Sequence, residues 1–392
     1  MYGSTDDSEP AAFRKAEKKY KLYYDNTRKR KQQPRPVDLS EVIDFKSISE
    51  SYHRNGGLPS GIFRIQCDFD SPVFCLASHP GFYFIPGALP VEEQCRWIKE
   101  SLTSFPQPPN RTNHNAIYGT LQDLFAAAKD NKVLIHEEQF RGTNNSEVEI
   151  IQNDTNVPSW NFLDQSDALS RGVTCRSVPA SVLLRKLRWS TLGLQFDWSK
   201  YLCYVICFCA VLCVCVISRD LSRGSFGNSL STSSEVERSY NISLPHNKIP
   251  DALCLLAERM AAPTLPLGEA FHAEAAIVNY FGLGDTLGGH VDDLEKDWNK
   301  PIVSMSLGCK GIFLIGGKSR EIPPLAMFVR SGDVILMAGQ ARECFHGVPR
   351  IFTDREHAEI SSLELKFSDE EHSAFLEYIR TSRININIRQ VF

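Results

Sequence analysis

The chain lacks a strong imbalance of charge. Its 392 residues carry a formal net charge of −4, so no global basic field marks it as a protein that coats nucleic acid by electrostatics alone. It also lacks Cys-x-x-Cys pairs. Five of its 12 cysteines fall between Cys203 and Cys215 among apolar neighbours and the others are scattered singly, which speaks against a zinc site or a disulfide framework. Free thiols in a reducing compartment are the simpler reading. Internal repeats are missing, so no repeat architecture is expected. No apolar secretory segment begins the chain, and Asp6, Asp7 and Glu9 argue against a mitochondrial transit peptide. Cytoplasm and/or nucleus is the expected location, and the Asn110-Arg111-Thr112 glycosylation pattern is then accidental. One long uncharged apolar run exists, Tyr201 to Ile217, at the lower limit for a membrane span.

Against this background the run His290-Val291-Asp292, answered far downstream by His346, carries the chemistry. Two imidazoles and one carboxylate on one side of a metal leave the opposite positions open, the facial arrangement of non-haem Fe(II) oxygenases. Alternation predicts that His290 and Asp292 share one face of a strand, with His346 arriving from another. A lone His on an apolar strand is more often a satisfied core residue, so the surroundings decide. Asn279-Tyr280-Phe281 lies upstream and Gly288-Gly289 directly precedes the first ligand. Downstream follow the buried-strand pattern Pro301 to Gly308, then Ser331-Gly332-Asp333-Val334-Ile335-Leu336-Met337, then Arg342 and Arg350.

The C-terminal segment Arg383-Ile384-Asn385-Ile386-Asn387-Ile388-Arg389 alternates polar residues with isoleucines, so one face is apolar and the other holds two arginines and two asparagines. At about 3.3 Å per residue the arginines stand roughly 20 Å apart along the backbone. Long guanidinium side chains from both ends can converge on a small dicarboxylate between them. A solvated edge strand is the bland alternative.

This order of motifs resembles the AlkB family of 2-oxoglutarate-dependent dioxygenases, and most nearly its homologue-one subgroup in plant-like form. The resemblance extends to Gly81-Phe82-Tyr83-Phe84-Ile85-Pro86-Gly87, Leu187-Arg188-Trp189-Ser190-Thr191-Leu192-Gly193 and Ser243-Leu244-Pro245-His246-Asn247, about three quarters of the chain. It implies Fe(II) held by His290, Asp292 and His346, with 2-oxoglutarate and dioxygen as co-substrates. Arg383 would pair with the distal carboxylate of 2-oxoglutarate, Arg389 would lie near its metal-binding end, and Asn279 would add a contact. The family has Tyr two positions after this Asn, where this chain has Phe281, so a phenolic donor is missing unless Tyr280 or a water compensates. Where several relatives place a base-contacting carboxylate this chain has Leu294, flanked by Asp293 and Glu295, a departure shared with the homologue-one subgroup.

The implied reaction couples decarboxylation of 2-oxoglutarate to hydroxylation of an N-methyl group, which then leaves as formaldehyde. A methyl on a Watson-Crick edge is reached only in an unpaired or flipped base, at a cost of a few kcal/mol. This favours N1-methyladenine in tRNA loops, with DNA N6-methyladenine or alkylation damage as one alternative and a protein hydroxylase or inactive metal-binding module as the other. Nucleic acid is the expected partner, tRNA before DNA. No obligate protein partner is inferred, and a monomer is expected.

The expected fold is α+β, a double-stranded β-helix (jelly-roll) core spanning 239–392 with an N-terminal helical and lid extension over 41–200. Residues 1–40 read as a basic helical arm and linker, with Arg14, Lys15, Lys18, Lys19 and Lys21 on a helix beside Tyr20, followed by Arg28-Lys29-Arg30-Lys31. Such an arm could track phosphates, act as a nuclear import signal or be a solvated charged helix. Pro90-Val91-Glu92-Glu93 opens an amphipathic helix, Ile249 to Ala262 reads as another, and 138–182 reads as loop-rich. The block 201–238 is an apolar and Ser-rich insertion between pieces that are nearly contiguous in relatives. A membrane span there would put two flanks of one domain on opposite sides of a bilayer, so membrane association is not expected. Residues with T-rich codons fill the run, and Lys200-Tyr201 can be encoded across a splice donor. The block is read as a translated intron, with a lineage-specific loop or a membrane-associating segment as alternatives.

Overall fold

The computed structural model describes residues 11–22, 36–67, 69–136, 160–170, 177–196 and 240–392. The block 201–238, the Arg28–Lys31 cluster and most of 138–176 lie outside the described residues. In chain order the strands are β1 (Ile62–Ile65), β2 (Val73–Leu76), β3 (Phe82–Ile85), β4 (Val133–His136), β5 (Trp160–Leu163), β6 (Ser177–Pro179), β7 (Trp189–Gly193), β8 (Gln195–Phe196) and β9 (Tyr240–Asn241). The C-terminal part adds β10 (Ala275–Phe281), β11 (Leu287–His290), β12 (Ile302–Gly308), β13 (Gly311–Ile315), β14 (Leu325–Val329), β15 (Val334–Met337), β16 (His346–Ile351) and β17 (Arg383–Arg389).

Two antiparallel sheets face each other. The larger has the order β1-β2-β3-β15-β12-β17-β10-β7 and the smaller β11-β16-β13-β14. Phe45, Phe82, Phe84, Phe281, Phe313, Ile335 and Met337 fill the space between them. The outer face of the large sheet is closed by helices Val91–Thr103 and Asp251–Ala261, whose Trp97, Ile98, Leu253 and Met260 pack with Ile384, Ile386 and Ile388 of β17. Each of those isoleucines is fully buried and contributes about 1.5–3 kcal/mol. That burial dictates the register of β17 and turns Arg383, Asn385, Asn387 and Arg389 toward the interior of the sandwich. The strand is central, between β12 and β10, and its polar face is enclosed. This is the jelly-roll type of core expected, with the N-terminal helices present.

The expected partition at residue 200 is not a structural boundary. β3 pairs with β15 from Val334↔Ile85 to Met337↔Phe82, and β7 pairs with β10 from Ala275↔Gly193 to Asn279↔Trp189, so the N-terminal half completes the larger sheet. Helix Val91–Thr103 packs behind that sheet rather than over its inner face, which corrects the placement of β3 and this helix in a lid. Within the 138–182 stretch, the described residues form the short strands β5 and β6, which flank β4, and strands of three or four residues are too short to show a period in the sequence. The N-terminal arm also departs from expectation. Its helix, Ala12–Tyr20, is anchored by Phe13, Glu17 and Tyr20, all buried, and belongs to the sandwich.

Candidate metal centre and co-substrate pocket

β11 and β16 bring two imidazoles together, for His290 and His346 are directly paired across the sheet with ring centroids 4.3 Å apart and planes tilted by 49°. The strand ends at His290, so Asp292 follows in irregular backbone rather than on the same strand face as expected. Its carboxylate still returns to the pair, with Oδ1 3.9 Å from His290 Nε2 and Oδ2 3.5 Å from His346 Nε2. Ligand atoms of the three residues lie within 4.8 Å of one another, and among the described residues no other cluster of three His, Cys, Asp or Glu side chains does this.

Both rings are oriented by backbone. His290 Nδ1 donates to the Gly288 carbonyl at 3.0 Å and His346 Nδ1 to the Cys344 carbonyl at 3.3 Å. A carbonyl can only accept, so the proton sits on Nδ1 and each Nε2 presents a lone pair to the cluster. Burial, then the neighbouring His346, brings the His290 pKa down to about 4, so its imidazole is neutral at physiological pH. Burial alone would raise the Asp292 carboxyl, but Arg389 and the two imidazoles outweigh it and hold the group well below the usual range. A neutral imidazole at His290 and an ionised carboxylate at Asp292 are the forms that ligate a metal.

Beside this cluster Arg383 is buried at 3% exposure. Nη2 donates to Ser306 Oγ at 2.6 Å, while Nε and Nη1 have no hydrogen-bond partner. Burial pulls its pKa down to about 10, with distant Asp333 partly opposing. A buried guanidinium with idle donors is expensive unless an anion completes it. Phe281 covers the group, with its ring centroid 5.4 Å from the guanidinium carbon, so the position offers a cation–π face where a phenol was expected. Asn279 lies opposite Asn385 on the same inner face. These residues fit a carboxylate-bearing co-substrate next to a divalent metal.

Arg389 has other partners. Nη2 lies 3.1 Å from Asp292 Oδ1 and Nη1 3.0 Å from Glu295 Oε1, while Arg342 Nη2 takes the second Glu295 oxygen and also donates to the Asp292 carbonyl at 3.2 Å. The Tyr240 hydroxyl donates to Glu295 Oε1 at 3.1 Å. Arg389 thus stands at the metal end of the pocket, paired with the candidate metal carboxylate of Asp292, while Arg383 keeps two donors without a partner.

The family model described as the 2OG-Fe(II) oxygenase superfamily matches residues 220–389. The chain is 56% identical to the Arabidopsis thaliana protein named DNA N(6)-methyladenine demethylase ALKBH1A, with 100% of both chains covered. The human nucleic acid dioxygenase ALKBH1 is 28% identical over 92% of this chain and 81% of its own length. The Schizosaccharomyces pombe tRNA demethylase abh1 is 26% identical over 97% of this chain and 95% of its own. The chain belongs to the AlkB homologue-one group of 2-oxoglutarate-dependent Fe(II) oxygenases. Fe(II), 2-oxoglutarate and dioxygen are accordingly its metal and co-substrates.

Within this AlkB-type site one sequence expectation fails. Tyr280 was a candidate for the missing phenolic donor, but alternation along β10 points it to the outer face of the sheet, where its hydroxyl donates to the Ser101 carbonyl at 2.6 Å and meets Ser190 Oγ at 3.0 Å. It cannot reach the inner pocket. Three polar residues of the site carried no individual signal in the sequence. Asn385 donates to Ser304 Oγ at 2.9 Å and to the Met305 carbonyl at 3.0 Å, and its place on the arginine face of β17 was the clue to its position. Ser306 was one of several serines in an apolar strand. Glu295 read only as part of an acidic loop, though its side chain is fully buried. Asp333 accepts from Gly87 N at 2.9 Å and from Arg330 N at 2.7 Å.

Proposed function

We propose that this protein removes N-methyl groups from adenine in unpaired nucleic acid, with N1-methyladenine in tRNA as its principal substrate. The observation that carries the reading is the His290, Asp292 and His346 cluster standing beside the buried and partly unpaired Arg383. Bound there, Fe(II) with 2-oxoglutarate and dioxygen supplies oxidation of the methyl group, which leaves as formaldehyde. The chain's own part is to fix both imidazoles through Nδ1 on backbone carbonyls with Nε2 facing the metal position, to keep Asp292 ionised through Arg389, and to present Arg383 to the distal carboxylate. Phe281 and Phe313 wall the site with apolar surface, which excludes water from the reacting groups.

Base selection differs from a carboxylate-reading site. Leu294 packs at the edge of a small cluster with Tyr240, and the Glu295 carboxylate is fully occupied by Arg342 and Arg389, so neither supplies an acidic contact to an exocyclic amine. An unpaired adenine is reached at lower cost than one in a duplex, which supports loops of structured RNA. The name of the 56% identical Arabidopsis relative favours a second reading, removal of N6-methyl from adenine in DNA.

Purified protein incubated with Fe(II), 2-oxoglutarate and either total tRNA or an unpaired N6-methyladenine DNA oligonucleotide, analysed by nucleoside mass spectrometry, separates the two. Loss of N1-methyladenine that vanishes in His290→Ala is the expected result. Turnover of the DNA oligonucleotide alone would establish the second reading. Succinate formation with neither substrate consumed would move the substrate to another class.

A further inference from the structure

The helix Ala12–Tyr20 looks from sequence like a basic appendage, yet its one acid and its two aromatics all face inward. Phe13, Glu17 and Tyr20 are spaced to share one helix face and are buried, while Arg14, Lys15, Lys18 and Lys19 are exposed. Glu17 Oε1 accepts from Gly289 N at 2.6 Å. The carbonyl of the same Gly289 accepts from Arg320 Nη2 at 2.6 Å, and the Arg320 carbonyl in turn accepts from Phe13 N at 2.9 Å. The residue immediately before His290 is thus held at both its polar backbone atoms, one by the helix and one by a residue bonded to the helix.

Phe13 fills the space that two glycines leave. A Cβ on Gly289 would lie 2.4 Å from its ring and a Cβ on Gly316 2.8 Å from it, so the ring lies against bare backbone of β11 and of the segment after β13. Gly316 N donates to the Phe345 carbonyl at 2.7 Å, and the Phe345 ring sits 6.3 Å from Phe13 under the Arg320 guanidinium. Phe345 immediately precedes His346. The helix therefore reaches both imidazole-bearing segments, each through the residue just before the histidine.

We infer that the N-terminal helix is a working part of the metal centre, in which Phe13 and Glu17 are positioning residues that hold the Gly289-His290 and Phe345-His346 backbones at the spacing a single ion requires. This rests on the metal-site reading above and extends it to a segment whose composition suggests no part in a metal site. Supporting groups around a ligand commonly change metal affinity by about 10–100-fold when lost.

Full-length apo protein titrated with Co(II) alone, followed by its visible absorption, tests this with no nucleic acid present. Phe13→Ala is expected to weaken Co(II) binding by about 10–100-fold and Glu17→Leu by about tenfold, whereas Glu17→Gln, which retains an amide oxygen acceptor, stays within about threefold of wild type. The double variant Lys18→Ala/Lys21→Ala removes exposed charge and is expected to bind Co(II) as wild type does. If Phe13→Ala does not fold, as judged by circular dichroism, Glu17→Leu against Glu17→Gln carries the test. Co(II) binding that is lost in His290→Ala but unchanged in both Phe13→Ala and Glu17→Leu overturns the inference and leaves the metal site standing. Equal weakening in the lysine variant overturns it too. Co(II) binding that survives His290→Ala would instead remove the metal-site reading itself.

Discussion

Glu295 Oε1 lies 3.0 Å from Arg389 Nη1, and this contact ties the acidic loop after the metal cluster to the last strand of the sheet. The second Glu295 oxygen takes Arg342, so one fully buried carboxylate balances two buried guanidinium groups, one of which also pairs with Asp292. Removing one partner of a buried ion pair costs about 3–5 kcal/mol because the remaining charge is left uncompensated. Glu295→Gln is therefore expected to lower the urea-unfolding free energy by about 3 kcal/mol. A loss well under 1 kcal/mol would show that solvent or another acid neutralises the arginines.

Arg383 is predicted to govern co-substrate affinity without governing metal affinity. Truncating one side of a buried, hydrogen-bonded charge pair costs about 2–5 kcal/mol, and the middle of that range corresponds to a few hundredfold. Arg383→Met is expected to raise the KM for 2-oxoglutarate by at least about 100-fold in a succinate assay, with Co(II) binding unchanged. A variant that loses metal and co-substrate together would mean that Arg383 supports the fold of the site rather than the ligand.

Tyr280 makes the opposite prediction. Its hydroxyl serves Ser101 and Ser190 on the outer face, so Tyr280→Phe is expected to cost about 1–3 kcal/mol of stability by leaving buried polar partners unsatisfied. The KM for 2-oxoglutarate should not move. A raised KM with unchanged stability would place the phenol in the pocket after all.

His114 predicts a pH dependence of stability. It is buried, its Nε2 donates to the Leu183 carbonyl at 2.9 Å, and burial lowers its pKa from 6.5 to about 4. Between those values the unfolded chain takes up a proton that the folded chain refuses, so stability rises with pH through this window and the contribution is fully present above it. One such proton gives a slope of about 1.4 kcal/mol per pH unit. Replacing His114 by Gln, which keeps a side-chain donor, is expected to flatten the unfolding free energy between pH 4 and 6.5 by that slope. An unchanged slope would mean that His114 is protonated in the folded protein.

The 201–238 block lies outside the described residues, which stop at 196 and resume at 240. β8 and β9 pair with Phe196 opposite Tyr240 and Gln195 opposite Asn241. Joining Lys200 to Ser239 would leave residues 197–200 and 239 as the connection, a length common for hairpins. The deletion variant is expected to keep the melting temperature and succinate yield of the full chain and to be the more soluble of the two. Loss of cooperative unfolding on deletion would show that the block is integral to the fold.

The candidate metal cluster was legible in the sequence because a His-x-Asp pair, a remote His and an Arg-x5-Arg strand are unusual in combination, and because isoleucines between the arginines reveal which way that strand faces. The same alternation places Tyr280 and Phe281 on opposite faces, so the error over Tyr280 came from reading it as an adjacent substitute for a phenol two residues away. Asp292 shows a limit of another kind. Alternation assumed that the strand continued past His290, and it does not.

What the sequence by itself determined is the set of donor types, the placing of Arg383 and Arg389 on one face of β17, and the side of that strand that must face inward, all of which depend on residue identity and local periodicity. What only the tertiary structure decided is which charges balance which. Glu295 between Arg342 and Arg389, Glu17 on the backbone of Gly289, and Phe13 against Gly289 and Gly316 join residues far apart in the chain. No local pattern encodes such pairs, because the cost of a buried charge or an empty space is set by whatever the folded chain brings against it.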